Sequence, residues 1–321
     1  MIRKQTVFIL GAGSSQPYGF PTGPDLRYQI ITSFYNQQLK MIHSHHPNPG
    51  FKHELELEKT RDFLSNFEGS GSSIDVFLSR NPSFSRIGKT AIIKAIKVCE
   101  YYSTFPNDPK ERDDDWYSYI FDLMSQDFQS PDKYSISENN VSFITFNYDR
   151  SLEYYLHRCL THSFSEIIDK TQINDEFNKI KFFHVYGKLG KLDFQLPYDS
   201  PKMSYRTELQ DRTYHEYLES IKIINAERTS TQNDQIRDLI SSAETIYLMG
   251  FDYARENLDA LGFEQIVEFR SNLNIYGTVY KKKIEEINRI KRIFSNIIPS
   301  RSGFNFQDKT SLDLLKYAPP E

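Results

Sequence analysis

The sequence is short of the residues on which several large classes of protein depend. Its 321 residues include two cysteines, Cys99 and Cys159. Two thiols build neither a disulfide framework nor a four-cysteine zinc site, and they read as buried thiols of a reducing compartment. No stretch reaches the roughly 18 apolar residues of a membrane span. Residues 1–13 run into a glycine turn too early for a secretory signal, so a cytoplasmic, non-membrane protein is expected. The net charge is −4 and no basic stripe accompanies the 14% aromatic residues, so direct nucleic-acid binding is not expected. The GxSxG and HExxH signatures and a Cys–His pairing are missing. Gly88-Lys89-Thr90 lacks the upstream glycine of a P-loop, because position 83 is Ser83. His43, His45 and His46 sit in a polar stretch and read as solvated, so no metal site is expected.

What is present begins six residues in. Residues 7–15 read VFILGAGSS, an apolar strand running into Gly11, Ala12, Gly13, Ser14 and Ser15. Glycines here let bare backbone approach a ligand, and a nest of N–H groups suits a phosphate. A dehydrogenase fingerprint would place a third glycine where Gln16 stands and continue as a helix. Instead residues 17–24 hold three prolines and two glycines, and a helix is expected from about Asp25, read as its N-cap.

Five β-rich apolar runs stand out, at 6–11, 141–147, 180–187, 245–250 and 273–278. Near-continuous apolar strands predict a mostly parallel, Rossmann-like α/β sheet with helices on both faces. Helices are expected near 25–43, 52–67, 87–102, 115–128, 150–160, 208–224, 232–243 and 280–297, with loops at 44–50, 68–73 and 104–114. The long interval before the second strand predicts one domain over 1–321. Its core falls at about 1–25 and 136–321, with a helical insertion at about 26–135.

Ligands of such sheets sit beyond the carboxyl ends of the strands. The second run ends in Asn147-Tyr148-Asp149. Asn is depleted in strands, so Asn147 is a ligand candidate. Asp149 suits either a ribose hydroxyl or the cap of the helix behind it. His184 and Tyr186 are expected on one face of the third run, and His184 reads as a core histidine or a catalytic one. The fourth run ends in Gly250 and Phe251, with Asn257 near a helix start, where it serves a ligand or the surface.

Taken in order, GAGSSQPYGFPTG, SIDVFLSR, TFNYD, HVYGKLG and YLMGFDYARENL resemble the SIR2-like, sirtuin-related NAD-consuming domains of bacterial antiphage defence systems. The resemblance spans nearly the whole chain. It implies a Rossmann-like NAD-binding core under a helical subdomain. Gly11, Ala12, Gly13 and Ser14 would match the phosphate loop, Asn147 and Asp149 the nicotinamide ribose, and Gly250 and Phe251 the adenosine side. It implies NAD glycohydrolysis, with NAD as substrate and Asn147 and His184 as catalytic residues. Such a role depletes NAD during abortive infection, under control of a homo-oligomer or a separate sensor protein. A zinc ribbon cannot be built, which argues against deacylation. Members usually carry His directly before the glycine of HVYG, where this chain has Tyr186. The alternative is a non-catalytic NAD or ADP-ribose sensor.

Overall fold

Thr6–Leu10 (β1) is a run of β-branched and apolar residues with every position buried, as suits an inner strand covered on both faces. The computed structural model describes residues 1–43, 51–103, 114–127, 136–166, 168–197, 202–207, 214–223, 230–266, 272–298 and 303–321. The other strands are Val141–Thr145 (β2), Lys181–His184 (β3), Thr245–Met249 (β4), Asn274–Thr278 (β5) and Gly303–Gln307 (β6). They form a six-stranded sheet in the order β3-β2-β1-β4-β5-β6, with every pair parallel. This is the Rossmann-like α/β architecture. From β1 the chain builds outward through β2 and β3, then returns to lay down β4, β5 and β6 on the other side. The direction reverses between β1 and β4, and in open α/β sheets the ligand crevice opens at such a switch point.

Register places one aromatic ring on each of five adjacent strands. Phe182, Phe143, Phe8, Tyr247 and Tyr276 are cross-strand partners in turn. Their rings stack at centroid separations of 4.8, 5.3, 5.1 and 5.4 Å. Each such pair contributes about 0.5–1.5 kcal/mol beyond the area it buries. Phe8 stands in the middle, fully buried, and touches a ring on either side. Phe8→Ala is expected to lower stability by about 3–5 kcal/mol, read as a shift in the urea midpoint. A loss below 1 kcal/mol would show that the ladder does not hold the inner strands.

β6 was not expected. GFNFQ carries Gly, Asn and Gln and pairs only with β5, so one edge lacks a neighbour. Its apolar residues alternate instead of running continuously, which is how a half-covered edge strand reads. β3 is the other edge and is shorter than the 180–187 run, because the chain turns after His184.

Between β1 and β2 lie Gly23–His43 (α1), Phe51–Ser70 (α2), Ile74–Arg80 (α3), Ser85–Tyr102 (α4) and Trp116–Ser125 (α5). The first three and the residue before α4 share an aromatic cluster in which Phe63 packs against Phe34, Phe67, Phe77 and Phe84. Asp25 is not the N-cap of α1. It lies in the first turn, where its carboxylate accepts from the Thr22 N–H and hydroxyl. The loop expected at 68–73 shrinks to the residues before α3, whose cap is Ser73 accepting from the Val76 N–H. The loop at 44–50, with His45 and His46, and that at 104–113 lie outside the described residues.

After β2 come Ser151–Phe164 (α6), Lys170–Asn178 (α7), Tyr214–Tyr217 (α8), Ser230–Ser242 (α9), Arg255–Leu261 (α10), Ile284–Ile297 (α11) and Ser311–Tyr317 (α12). The helix expected over 208–224 is a single turn, α8, followed by a tighter one, with 208–213 and 224 outside the described residues. The helix expected from 280 starts at Ile284, because Lys281 has φ +54° and breaks the helical path. Helix α7 was unexpected, although Asp169 and Gln172 form a capping box at its start. Among the described residues no helix is long and apolar enough to cross a membrane.

Candidate functional site

A cavity of about 600 Å3 opens at the carboxyl end of the sheet, over the switch point. That volume falls in the roughly 300–1,000 Å3 range of small-molecule sites. Its walls include Gly11, Ala12, Gly13, Asn147, Asp149, Tyr186, Gly250, Phe251 and Asn257, nine of the residues singled out from sequence. Ser14, Ser15 and His184 do not line it.

The glycine loop is not an open nest of N–H groups. The Gly11 N–H donates to the Met249 carbonyl at 3.0 Å, and Gly13 to Gly250 at 3.1 Å. Ser14 and Ser15 donate back to Gly11 and Ala12, closing a turn of 3-10 helix. Ala12, on the cavity wall, keeps an N–H outside this set. The glycines serve backbone packing between the loops after β1 and β4. A Cβ on Gly11 would fall 2.5 Å from the Gly250 carbonyl oxygen. One on Gly250, at φ +57°, would fall 2.0 Å from the Ser14 nitrogen. Behind the loop Trp116, the single tryptophan, donates its indole N–H to the Ser14 carbonyl at 2.8 Å.

Asn147 lies two residues past β2, buried to 8% exposure. Its amide nitrogen donates to the Gly11 carbonyl at 3.1 Å and to the Ser15 hydroxyl at 2.9 Å. A carbonyl only accepts, so this contact fixes which end of the amide is nitrogen. The other end, Oδ1, is buried and has no hydrogen-bond partner among the described residues. A buried acceptor without a donor costs about 1–3 kcal/mol, and the residue that carries it lines the cavity. Ser15 carries the network on to Asp149, which also accepts from the Ser151 N–H at 3.0 Å and from its hydroxyl. Asp149 therefore lines the cavity and also holds the first N–H of α6, whose N-cap is Arg150. Burial pushes its carboxyl above the ordinary value, opposed by the Ser151 and Ser15 hydrogen bonds. The next residue, Arg150, is fully buried and grips both oxygens of Glu100 on α4 at 2.9 and 2.8 Å. The site strand is thereby tied to the helices above it.

His184 and Tyr186 do not share a face. The chain turns at Gly187, which has φ +72° and is pinned by the Lys188 N–H on Ser220 and the Lys222 N–H on Tyr186. Tyr186 enters the cavity wall and donates to Asn257 Oδ1 at 2.7 Å. His184 points away. Its Nδ1 lies 3.0 Å from the Asn147 carbonyl and its Nε2 3.0 Å from Glu153 Oε2. Both ring nitrogens are thus engaged inside the protein, and neither faces the cavity. Glu153 is also held by Lys188 at 2.6 Å. Burial raises the Glu153 carboxyl, but Lys188 and His184 together outweigh it and hold the group well below the usual range. His184 is thus a positioning residue that fixes the backbone of Asn147.

The chain matches no protein-family model and no curated protein. Assignment of the site therefore rests on its geometry.

Four carboxylates on the cavity wall, Asp75, Asp114, Asp252 and Glu256, are not among the sequence candidates. Asp75, on α3, lines the wall and accepts a hydrogen bond from the Tyr148 hydroxyl. Tyr148 follows Asn147 directly, so the helical layer and the Asn147 loop meet at this pair. Burial pushes the Asp75 carboxyl above its ordinary value, Tyr148 opposes, and the charge of Asp252 adds to the rise. The signal available was SIDVFLSR itself, an acid in the first turn of a short capped helix. Nothing in that pattern says which way the side chain faces.

Proposed function

We propose that the chain binds NAD across the switch point and cleaves its nicotinamide–ribose bond, releasing nicotinamide and ADP-ribose. The observation that carries this reading is Asn147, which lines a nucleotide-sized cavity beside the Gly11–Gly13 turn and whose buried Oδ1 has no hydrogen-bond partner among the described residues. A ribose hydroxyl or the attacking water supplies the donor that Oδ1 needs. The C–N bond electrons pass to the pyridinium nitrogen, water adds to the ribose carbon, and its surplus proton goes to Asp75. Helix α3 shields the site from bulk water. In this reading Asp75, and not His184, is the general base.

The resemblance to SIR2-like domains extends the proposal to NAD depletion in the cytoplasm during antiphage defence, under control of self-assembly or of a sensor protein. Purified protein, alone and with the proteins encoded beside it, is incubated with NAD and free nicotinamide is measured. Absence of nicotinamide under all these conditions would sink the enzymatic reading. A second reading is a non-catalytic NAD or ADP-ribose sensor, favoured by the engaged nitrogens of His184. Its signature is dinucleotide binding without turnover.

Asp75 gives the reaction a pH dependence of definite sign. A base acts when ionised, and its raised pKa moves the loss of activity to a pH above the ordinary 3.8 of an aspartate. Activity is expected to fall as pH drops through that raised value. Asp75→Asn is expected to lower kcat by about 10²–10⁴ and to remove the acidic limb. A variant that keeps both rate and limb would exclude Asp75 as the base.

A further inference from the structure

The cavity continues past the glycine turn to the ends of β5 and β6, where its wall changes character. Lys282, Lys309, Thr310 and Ser311 line it there together with Asp114, while Asp75, Asp149, Asp252 and Glu256 line the rest. The two strand ends are stitched into one rim. The Val279 N–H donates to the Gln307 carbonyl at 2.8 Å, and the Lys281 N–H to Asp308 Oδ1 at 2.8 Å. Lys281, Lys282 and Lys283 follow one strand and Lys309 the other, so four cations gather on this rim.

The nearby acids are engaged. Glu286 pairs with Lys282 on the first turn of α11. Asp308 holds the Lys281 N–H. Asp114 accepts from the Ser311 and Leu312 N–H groups at 3.3 and 2.6 Å. Among the described residues Lys309 pairs with no carboxylate, and its ammonium rests over the Tyr317 ring at 5.5 Å. Ser311 is buried to 4% exposure yet belongs to the cavity wall. The rim thus offers an uncommitted cation, a second cation shared with one acid, and two hydroxyls to whatever reaches past the turn.

Where a dinucleotide fold reads NAD, an acid takes the ribose 2′-hydroxyl, and where it reads the phosphorylated form a cation takes the 2′-phosphate. β5 and β6 lie two and three strand spacings from β1, roughly 10–14 Å, a span that a nucleoside covers from a pyrophosphate held at Gly11–Gly13. On the reading that the glycosidic bond is cut beside Asn147, we infer that the Lys282–Lys309 rim binds a phosphate on the opposite ribose. The preferred ligand is then a 2′-phosphorylated dinucleotide, NADP, over NAD.

Calorimetric titration of the intact protein with NADP and with NAD tests this. NADP is expected to bind about 10-fold or more tightly, as hydrogen bonds to a charged group imply. That preference is expected to shrink as salt rises. Lys309→Gln, a surface change that leaves the core alone, is expected to weaken NADP more than NAD, and Lys282→Gln to act in the same direction. NAD binding as tightly as NADP, or Lys309→Gln weakening both alike, overturns the inference and leaves the dinucleotide reading standing. Binding of neither ligand overturns both.

Discussion

Asn147→Ala is expected to lower nicotinamide release by about two to three orders of magnitude, the scale seen when one preorganised polar contact to the reacting centre is removed. Among the described residues, the substitution deletes a buried side-chain acceptor that has no protein partner, on a residue that lines the cavity. It also deletes donors to Gly11 and Ser15, so part of the loss comes from a loosened glycine turn. Asn147→Asp separates the two contributions. A carboxylate keeps an acceptor toward the cavity but sets an oxygen against the Gly11 carbonyl, so the fold weakens while the ligand contact stays. The check is nicotinamide measured by chromatography, with circular dichroism to confirm folding. Release that survives Asn147→Ala removes this residue from the mechanism.

Gly250→Ala is expected to be strongly destabilising for a change of one methyl group. The residue sits at φ +57°, where a side chain costs about 1–2 kcal/mol. Its Cβ would also lie 2.0 Å from the Ser14 nitrogen and 2.4 Å from the Gly13 carbonyl carbon. Both are backbone atoms of the neighbouring loop and have no rotamer with which to escape. Overpacking of that kind adds about 1–3 kcal/mol, so a total near 2–5 kcal/mol is expected in the denaturation midpoint. Dinucleotide affinity should fall with it, because the same loop carries Ala12. Gly69→Ala is the control, since nothing lies within 4 Å of its Cβ. A Gly250→Ala protein as stable as that control would mean that the two loops are not held in contact.

Both expectations turn on one point about glycine. The sequence pattern GAGSS suggested a surface left bare for a phosphate. The structure uses the same glycines to bring two strand-end loops into backbone contact, with most of the loop N–H groups engaged inside the protein. Either demand selects glycine, so the pattern alone does not separate them.

By itself the sequence determined five of the six strands, all but the β6 edge, and the α/β class. Those are local matters: continuous apolar runs bury on both faces, and glycine or asparagine at their ends stops the ladder. Asn147 was legible because an amide is out of place in a strand. Tertiary structure alone decided the neighbour order β3-β2-β1-β4-β5-β6, because pairing between runs over a hundred residues apart leaves no local trace. It also decided which side chains face the cavity. Strand alternation put His184 and Tyr186 together only while the strand continued, and a turn held by Ser220 and Lys222 separated them. Asp75 and Lys309 line the cavity from a helix and from the segment after an edge strand, and no periodicity links either to it. A periodic pattern encodes which face of an element is buried, and the assembly of elements decides what that face meets.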